Sequence, residues 1–386
     1  MHKPAFELSA DSVRNEGVPR GAVTKFVWNS SKLYPRAEHD VSIYVPAQYS
    51  DAEPACVMVF QDGEAYVNEH GSVKASIVFD NLIHQSHMPT CIGVFVSPGT
   101  RDEPYDLRAD QYVPINDTYA SYLEDEILAE VSKTYRLVED ASGRAICGMS
   151  DGGLCAFTVG WHRPDLFSKV VSHIGSFTRL RGGSDYPYHI RRTRGEPKPL
   201  RVFLQDGKYD VNLMEGNWTL ANLMMADALR YARYDYRFEL GEGGHDLQHG
   251  GALFPETLRW LWRDYPGVSN GYVHSDPSLV VGTWKLESRF FGERHYGTLV
   301  LEETDGQLQA ELHHEHDGQI EVLELWFRDS YLSFSYRTPA TQLRWGKGDD
   351  KVMTTWLKVD GDRFEGVLSG SGRVWNDWPT FGTRIA

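Results

Sequence analysis

Up to Pro266, short continuous apolar runs alternate with longer segments of helical periodicity. Cys56–Phe60 and Cys91–Val96 are apolar throughout, which is typical of strands buried on both faces of a sheet. Trp218–Tyr231 instead repeats its apolar residues at helical spacing. Because strands that alternate with helices pair in parallel through right-handed crossovers, this part of the chain predicts an α/β fold. The other predicted strands are Ala22–Trp28, Val41–Val45, Arg144–Cys147, Val170–Ile174, Val202–Leu204 and Tyr236–Leu240, and the other predicted helices are Ser76–His84, Tyr119–Ser132, Gly152–Trp161 and Phe254–Trp262.

The pattern changes after Pro266, where a polar linker is followed by short alternating runs with no convincing helix. Asp305-Gly306 and Asp360-Gly361 lie between such runs and are typical of hairpin turns. About eight strands in about 110 residues predict an antiparallel, barrel-like domain, and Gly282-Thr283-Trp284 at its start resembles the opening of lipocalin-like barrels. The predicted organisation is an N-terminal extension over 1–20, an α/β catalytic domain over 21–266, a linker over 267–278 and an all-β domain over 279–386.

Composition and charge narrow the classes of partner. The 386 residues include 54 acidic and 39 basic side chains, for a net charge of −15. A surface this acidic repels phosphate backbones and anionic lipids, so we expect neither a nucleic-acid nor a membrane partner. Met1–Asn15 lacks the apolar stretch of a signal peptide, so we expect a cytoplasmic protein unless an export signal was trimmed. Four cysteines without a Cys-x-x-Cys spacing indicate free thiols.

One segment has both the residue spacing and the predicted strand-to-helix setting of a nucleophilic active site. Gly148-Met149-Ser150-Asp151-Gly152 reads Gly-x-Ser-x-Gly and lies between a predicted strand and a predicted helix. A nucleophile at the tip of such a turn has strained backbone, and the residues two positions away must lack side chains to avoid collision. The turn also directs the nucleophile toward free N–H groups at the helix N-terminus, which can receive an oxyanion. We therefore predict Ser150 as the nucleophile, with an ordinary tight turn as the alternative.

A serine nucleophile needs a base and an acid that orients the base. In α/β-hydrolases the chain order is serine, acid, histidine. His245 lies on a glycine-rich loop after a predicted strand and is the favoured base, with His249 as its nearest rival. Two aspartates compete for the acid: Asp206 ends a strand and could hold the turn through Lys208, whereas Asp210 lies farther out and could reach His245. We favour Asp210.

In these residues the chain resembles the branch of the α/β-hydrolases that includes enterochelin esterase, esterase D and the feruloyl and acetyl-xylan esterases. The resemblance runs from about Gly17 to Pro266, and its motifs occur in the family's order. It implies a mostly parallel sheet with helices on both faces and serine ester hydrolysis without a metal or organic cofactor. The motifs that carry it are Val57–Gly63, Gly148–Gly153, Phe203–Asp210 and Gly243-Gly244-His245-Asp246.

The resemblance also implies roles for single residues. Many relatives have His-Gly after the strand at Val57, whereas this chain has Asp62-Gly63-Glu64, the form that enterochelin esterase itself resembles. Which of the two carboxylates faces the cleft stays open. The implied roles are Ser150 as nucleophile, Asp210 as acid, His245 as base, and the backbone N–H groups of Asp151 and Glu64 as oxyanion donors.

The expected function is hydrolysis of a small-molecule or oligosaccharide ester, either an acylated sugar or an aromatic ester of feruloyl or acetyl type. Siderophore trilactone cleavage and acyl transfer on the same triad are alternatives, and an inactive ligand- or glycan-binding protein is an alternative of another class. Asp62, Tyr209 and Trp218 are candidates for substrate contact, although core packing is the default interpretation of Trp218. His313–His316 is better interpreted as a solvated strand end than as a metal site, so we expect no metal. The tryptophans of the β domain leave docking, glycan binding and a homodimer open; they are Trp284, Trp326, Trp345, Trp356, Trp375 and Trp378.

Overall fold

The computed structural model describes residues 6–101, 107–180, 182–269, 276–290, 293–328, 330–338, 351–370 and 377–386. Its contacts divide the chain into two compact units, Met1–Tyr272 and Val273–Ala386. The linker predicted over 267–278 spans the point of division. Trp345 and Trp375 lie outside the described residues.

Eight strands of the first unit form one mixed sheet. They are β1 (Ala22–Trp28), β2 (His39–Val45), β3 (Cys56–Gln61), β4 (Cys91–Val96), β5 (Arg144–Met149), β6 (Lys169–His173), β7 (Arg201–Gly207) and β10 (Asp235–Gly241). Two further strands, β8 (Asn212–Leu213) and β9 (Gly216–Asn217), form a separate hairpin between β7 and β10. The order is β1-β2-β4-β3-β5-β6-β7-β10. β2 is antiparallel to both β1 and β4, and all other neighbours are parallel, which confirms the predicted mostly parallel sheet.

The sheet has apolar cores on both faces because its central strands are buried on both sides. In β3, Val57 and Val59 enter one hydrophobic cluster, whereas Met58 and Phe60 enter a second one. Helices α6 (Asp151–His162) and α8 (Trp218–Tyr231) contribute to the first cluster, and α2 (Ala75–His84) and α9 (Gln248–Trp262) contribute to the second. The helices of this unit are α1 (Gly63–Val67), α2 (Ala75–His84), α3 (Leu107–Tyr112), α4 (Thr118–Tyr122), α5 (Ala129–Val131), α6 (Asp151–His162), α7 (Tyr186–Arg191), α8 (Trp218–Tyr231) and α9 (Gln248–Trp262).

Three differences from the predicted helices have physical reasons. The helix predicted over Tyr119–Ser132 contains a π-helical segment, Leu123–Leu128, between α4 and α5. Helix α9 begins at Gln248, before the predicted start at Phe254, because two glycines in its first turn hide the apolar repeat. The pattern did not predict α1, α3 or α7, since helices of five or six residues are too short to establish a period. No helix of the described residues has both the length and the apolar character needed to cross a membrane.

The described strands of the second unit form one antiparallel sheet that is nearly closed, which confirms the predicted barrel-like β domain. Its interior is apolar around the fully buried Trp284. The alternating run Ile320–Phe327, which the sequence pattern predicts as one strand, is divided between two strands. The strands are β11 (Gly282–Phe290), β12 (Glu293–Thr304), β13 (Gln307–His314), β14 (Gly318–Ile320), β15 (Val322–Arg328), β16 (Tyr331–Thr338), β17 (Lys351–Asp360), β18 (Arg363–Gly370) and β19 (Asp377–Arg384).

Candidate active site

Ser150 occupies a strained turn between β5 and α6. Its backbone has φ 55° and ψ −121°, a conformation that residues with a side chain rarely adopt. A Cβ on Gly148 would lie 2.1 Å from the carbonyl oxygen of Gly152, and a Cβ on Gly152 would lie 2.8 Å from Oδ2 of Asp62. Both glycines are therefore required by the close approach of neighbouring atoms, and the turn exposes the Ser150 hydroxyl at the carboxyl end of β5.

His245 and Asp210 extend from this hydroxyl as a chain of hydrogen bonds. Nε2 of His245 is 2.9 Å from Oγ of Ser150, and Nδ1 of His245 is 2.6 Å from Oδ1 of Asp210. The N–H of Val211 also donates to Oδ1 of Asp210, at 2.5 Å. Burial acts to raise the pKa of Asp210, yet the hydrogen bonds from His245 and Asp206 hold this pKa below its usual range. The structure thus brings together the three residues that the sequence favoured.

The two rival residues lie next to this series. His249 lies on α9, with Nδ1 3.0 Å from the Gln205 amide nitrogen and its ring stacked on Phe6 at 4.6 Å. Asp206 is fully buried, and its Oδ1 accepts a hydrogen bond from the N–H of Gly207 at 2.8 Å. The turn bond to Lys208 suggested for Asp206 is not formed, because the N–H of Lys208 donates to the carbonyl of Gly241.

Sequence analysis missed Ser176, which contacts the predicted nucleophile. Its Oγ lies 3.3 Å from Oγ of Ser150 and accepts a hydrogen bond from the indole N–H of Trp218 at 3.1 Å. The N–H of Ser176 also donates to the carbonyl of Ser150. Because the Ser176 hydroxyl accepts from Trp218, its own proton is free to point at Ser150. No spacing rule marks this serine, which follows β6 in an irregular segment.

The structure separates the three candidates for substrate contact. Trp218 is only 4% exposed, its N–H is bound to Ser176, and its ring meets the His245 ring edge-on at 6.0 Å. It therefore has little free surface on which a substrate ring could stack, as the core-packing interpretation of Trp218 expects. Tyr209, which directly precedes Asp210, is 70% exposed and can offer its ring.

Arg108 shows which carboxylate of the Asp62-Gly63-Glu64 loop points inward. Its Nε and Nη2 donate to the two carboxylate oxygens of Asp62, each at 2.8 Å, and its Nη1 donates to Asp151 at 2.9 Å. The N–H of Asp62 in turn donates to the hydroxyl of Tyr112 at 3.1 Å. Glu64 instead points outward and pairs with Lys25. Asp62 is thus the inward carboxylate, and it is occupied by an ion pair that ties its loop to the serine turn.

The two predicted oxyanion donors are backbone N–H groups at helix starts. Glu64 lies in the first turn of α1, and Asp151 is the first residue of α6. N–H groups in a first helical turn have no acceptor within the helix, and the helix dipole favours negative charge there. The Arg108 bridge joins the segments that carry both groups. Within the described ranges, no cluster of three or more histidine, cysteine or acidic side chains could hold a metal ion.

Comparison with known proteins gives three kinds of match. A sequence model of the family described as "Putative esterase" matches residues 34–260. Iron(III) enterobactin esterase of Dickeya dadantii is 23% identical over 231 residues, covering 56% of this chain and 48% of the relative. The enzyme of that name from Escherichia coli K12 is 25% identical over 254 residues, covering 64% of this chain and 58% of the relative. The chain thus spans about half the length of these relatives.

Among solved structures, the enterobactin esterase from Shigella flexneri has a TM-score of 0.52 at 22% identity, covering 64% of this chain and 61% of that chain. The ferulic acid esterase from Anaeromyces mucronatus has a TM-score of 0.53 at 15% identity, covering 68% of this chain and all of that chain. At these identities the likeness establishes the shared fold.

Proposed function

This chain belongs to the putative esterase family, and on that premise we propose that it is a serine carboxylester hydrolase that works through an acyl-enzyme. One observation carries the proposal: the hydrogen-bonded series Ser150–His245–Asp210, with its serine on a strained turn. Strain of about 1–3 kcal/mol persists only where the surrounding structure enforces it, and such sites are concentrated where function requires them.

The hydrogen bonds support a proposed role for each member of the series. With Nδ1–H of His245 donating to Asp210, Nε2 carries the lone pair that accepts the proton of Ser150. The deprotonated oxygen then attacks the ester carbonyl, and Asp210 stabilises the imidazolium without taking its proton. His245 returns the proton to the departing alcohol, and water attacking the acyl-Ser150 ester repeats the sequence and frees the acid.

The negative charge that develops on the carbonyl oxygen needs donors that are in place beforehand. We propose that these donors are the N–H groups of Asp151 and Glu64, whose segments are joined by the Arg108 bridge. Losing one such donor typically costs about 2.7–4 kcal/mol of transition-state stabilisation. These residues supply every proton transfer and charge contact that the reaction requires, so the proposal includes no cofactor.

For the substrate we propose an ester with an aromatic or acylated-sugar component. Support comes from the exposed Tyr209 ring beside Asp210 and from neighbours named ferulic acid esterases. A siderophore trilactone is the second candidate, and the name of the curated relatives, Iron(III) enterobactin esterase, favours it. A hydrolysis panel of feruloyl, acetyl-aryl, acetylated-sugar and enterobactin esters separates the two.

A fluorophosphonate probe tests the reaction class before any substrate is known. Ser150→Ala should abolish both labelling and ester hydrolysis while the fold is retained. Ser269→Ala is a matched control, because Gly267–Gly271 repeats the Gly-x-Ser-x-Gly sequence in the predicted linker, with no predicted strand before it and no predicted helix after it. Labelling that survives Ser150→Ala, or kcat above about one-thousandth of wild type, would refute Ser150 as the nucleophile.

A further inference from the structure

Two carboxyl groups lie side by side behind His245. Asp206, near the end of β7, is fully buried, and Asp210 follows four residues later with 8% exposure. Each of the two carboxyl groups shifts the pKa of the other. Oδ2 of Asp206 and Oδ2 of Asp210 are both buried, and no N–H or O–H of the described residues donates to either atom. Two ionised carboxylates would therefore be costly at this place, because neither of these buried oxygens has a donor.

One proton must lie between the two acids. Two carboxylates repel each other, and a buried adjacent pair cannot both ionise near neutral pH. Asp210 is the better anion, because Nδ1 of His245 and the N–H of Val211 both donate to it. Asp206 accepts from the N–H of Gly207 and contacts the Asn222 side chain. Burial and the adjacent Asp210 raise the pKa of Asp206 to about 9.

The other titratable groups around the pair do not reverse this assignment. His245, on the loop after β10, is bound to the far oxygen of Asp210. His249, on α9, contacts the backbone of Asp206, and burial lowers its pKa, so the ring is neutral at pH 7. His249 therefore supplies no cation that would hold Asp206 ionised, and the hydrogen bond of His245 is made to Asp210.

We propose that Asp206 is a neutral carboxylic acid whose hydroxyl donates to Oδ2 of Asp210, extending the Ser150–His245–Asp210 series to a fourth member. Asp206 is a positioning residue: it fixes the rotation of the Asp210 carboxylate so that Oδ1 stays on Nδ1 of His245. It also satisfies an oxygen that would otherwise be a buried acceptor without a donor, a costly arrangement. The catalytic part of this inference rests on the proposed function; the protonation of Asp206 does not.

The kinetic test compares Asp206→Asn with Asp206→Ala on a small aryl ester. Asparagine keeps a neutral N–H donor for Asp210 and an oxygen for the N–H of Gly207, so kcat should stay within about threefold of wild type. Alanine removes the donor, and kcat should fall about 10- to 100-fold with little change in KM, as for loss of a hydrogen bond to a charged group. Asp206 is not a neutral donor if Asp206→Asn loses as much as Asp210→Asn, or if Asp206→Ala loses nothing.

Two further readouts need no activity. At pH 7, the infrared spectrum of wild type minus that of Asp206→Asn should contain the carbonyl band of a protonated carboxylic acid. The folded protein also holds one proton that the unfolded chain releases above about pH 4, so the contribution of Asp206 to stability falls as pH rises from there to about 9. The ratio of unfolding constants, wild type over Asp206→Asn, should rise about tenfold per pH unit between about pH 5 and pH 8.

These readouts distinguish the proposed ester hydrolysis from the proposed proton shared by Asp206 and Asp210. If no ester is hydrolysed but the band and the pH slope are present, the proposed function fails and the shared proton stands. If wild type lacks the band and the ratio is flat, Asp206 is ionised and the inference is overturned, whatever the activity.

Discussion

Arg108 joins the two segments that carry the proposed oxyanion donors, so Arg108→Met tests whether that bridge matters. The guanidinium donates twice to Asp62 and once to Asp151, at 2.8–2.9 Å. Methionine keeps an unbranched apolar side chain but removes every donor. The Asp62 side chain, only 9% exposed, then keeps its charge without the ion pair that offsets its burial.

The expected loss of stability lies between two known limits. Breaking a buried ion pair by removing one partner costs about 3–5 kcal/mol, whereas an exposed pair contributes about 0–1 kcal/mol. The Arg108 side chain is 27% exposed and that of Asp151 is 20% exposed, so water screens part of the interaction. We therefore expect the free energy of unfolding to fall by about 2–3 kcal/mol.

Activity should fall for a separate reason. The Asp151 and Glu64 N–H groups lose the bridge that fixes their separation, so kcat should drop about 10- to 100-fold, less than complete removal of a donor. KM should change little, because the lost contact acts on the transition state. Chemical denaturation and steady-state hydrolysis of a small aryl ester measure the two effects.

Arg163→Met is the matched control, because Arg163 also bridges two carboxylates, Asp165 and Glu124, but their side chains are 64% and 38% exposed. It should lose at most about 1 kcal/mol and no activity. Asp62→Asn combined with Arg108→Met should recover stability relative to Arg108→Met, since a neutral amide needs no ion partner. The reasoning is refuted if Arg108→Met unfolds like Arg163→Met and keeps wild-type kcat.

Two further variants examine the serine turn. Ser176→Ala removes the hydroxyl that contacts Ser150 and leaves the Trp218 N–H buried without its acceptor; stability should fall by about 1–3 kcal/mol and kcat by about tenfold. Wild-type kcat in a folded Ser176→Ala protein would contradict this role. Gly148→Ala places a Cβ 2.1 Å from a backbone oxygen that cannot rotate away, so it should destabilise the protein by more than the usual 1–3 kcal/mol of overpacking. Gly195→Ala meets no atom within 4 Å and should differ from wild type by less than about 0.5 kcal/mol in a denaturant titration, and equal losses in the two variants would refute the steric argument.

The sequence could predict residues whose position follows from the order of strands and helices along the chain. The carboxyl ends of parallel strands lie at one edge of a sheet, so residues just after β5, β7 and β10 could be expected to meet there, as Ser150, Asp210 and His245 do. The Gly-x-Ser-x-Gly pattern alone was weaker, because it also occurs at 267–271. Its position between a strand and a helix was what distinguished the first occurrence.

The residues that support this series left no such signal. Arg108 lies on a helix of six residues, too short for a period, and Ser176 lies in a segment without regular structure. Their partners named above are 42 or more positions away in sequence, except for Ser150, which is 26 positions from Ser176. Whether a buried polar atom finds a donor is decided by packing in three dimensions, which periodicity and composition do not encode.

The two aspartates illustrate the same limit within one loop. From the sequence, Asp206 and Asp210 were alternatives, because a triad needs one acid and each stood after the right strand. In the structure both are buried, and each shifts the pKa of the other. An acid beside a buried carboxylate is favoured in its protonated form, while the hydrogen bonds from His245 and Val211 hold the pKa of Asp210 low. The two residues are chemically identical as side chains, so no pattern of residue types could assign one as anion and the other as acid. That division follows from which of them the backbone turn brings within reach of Nδ1 of His245.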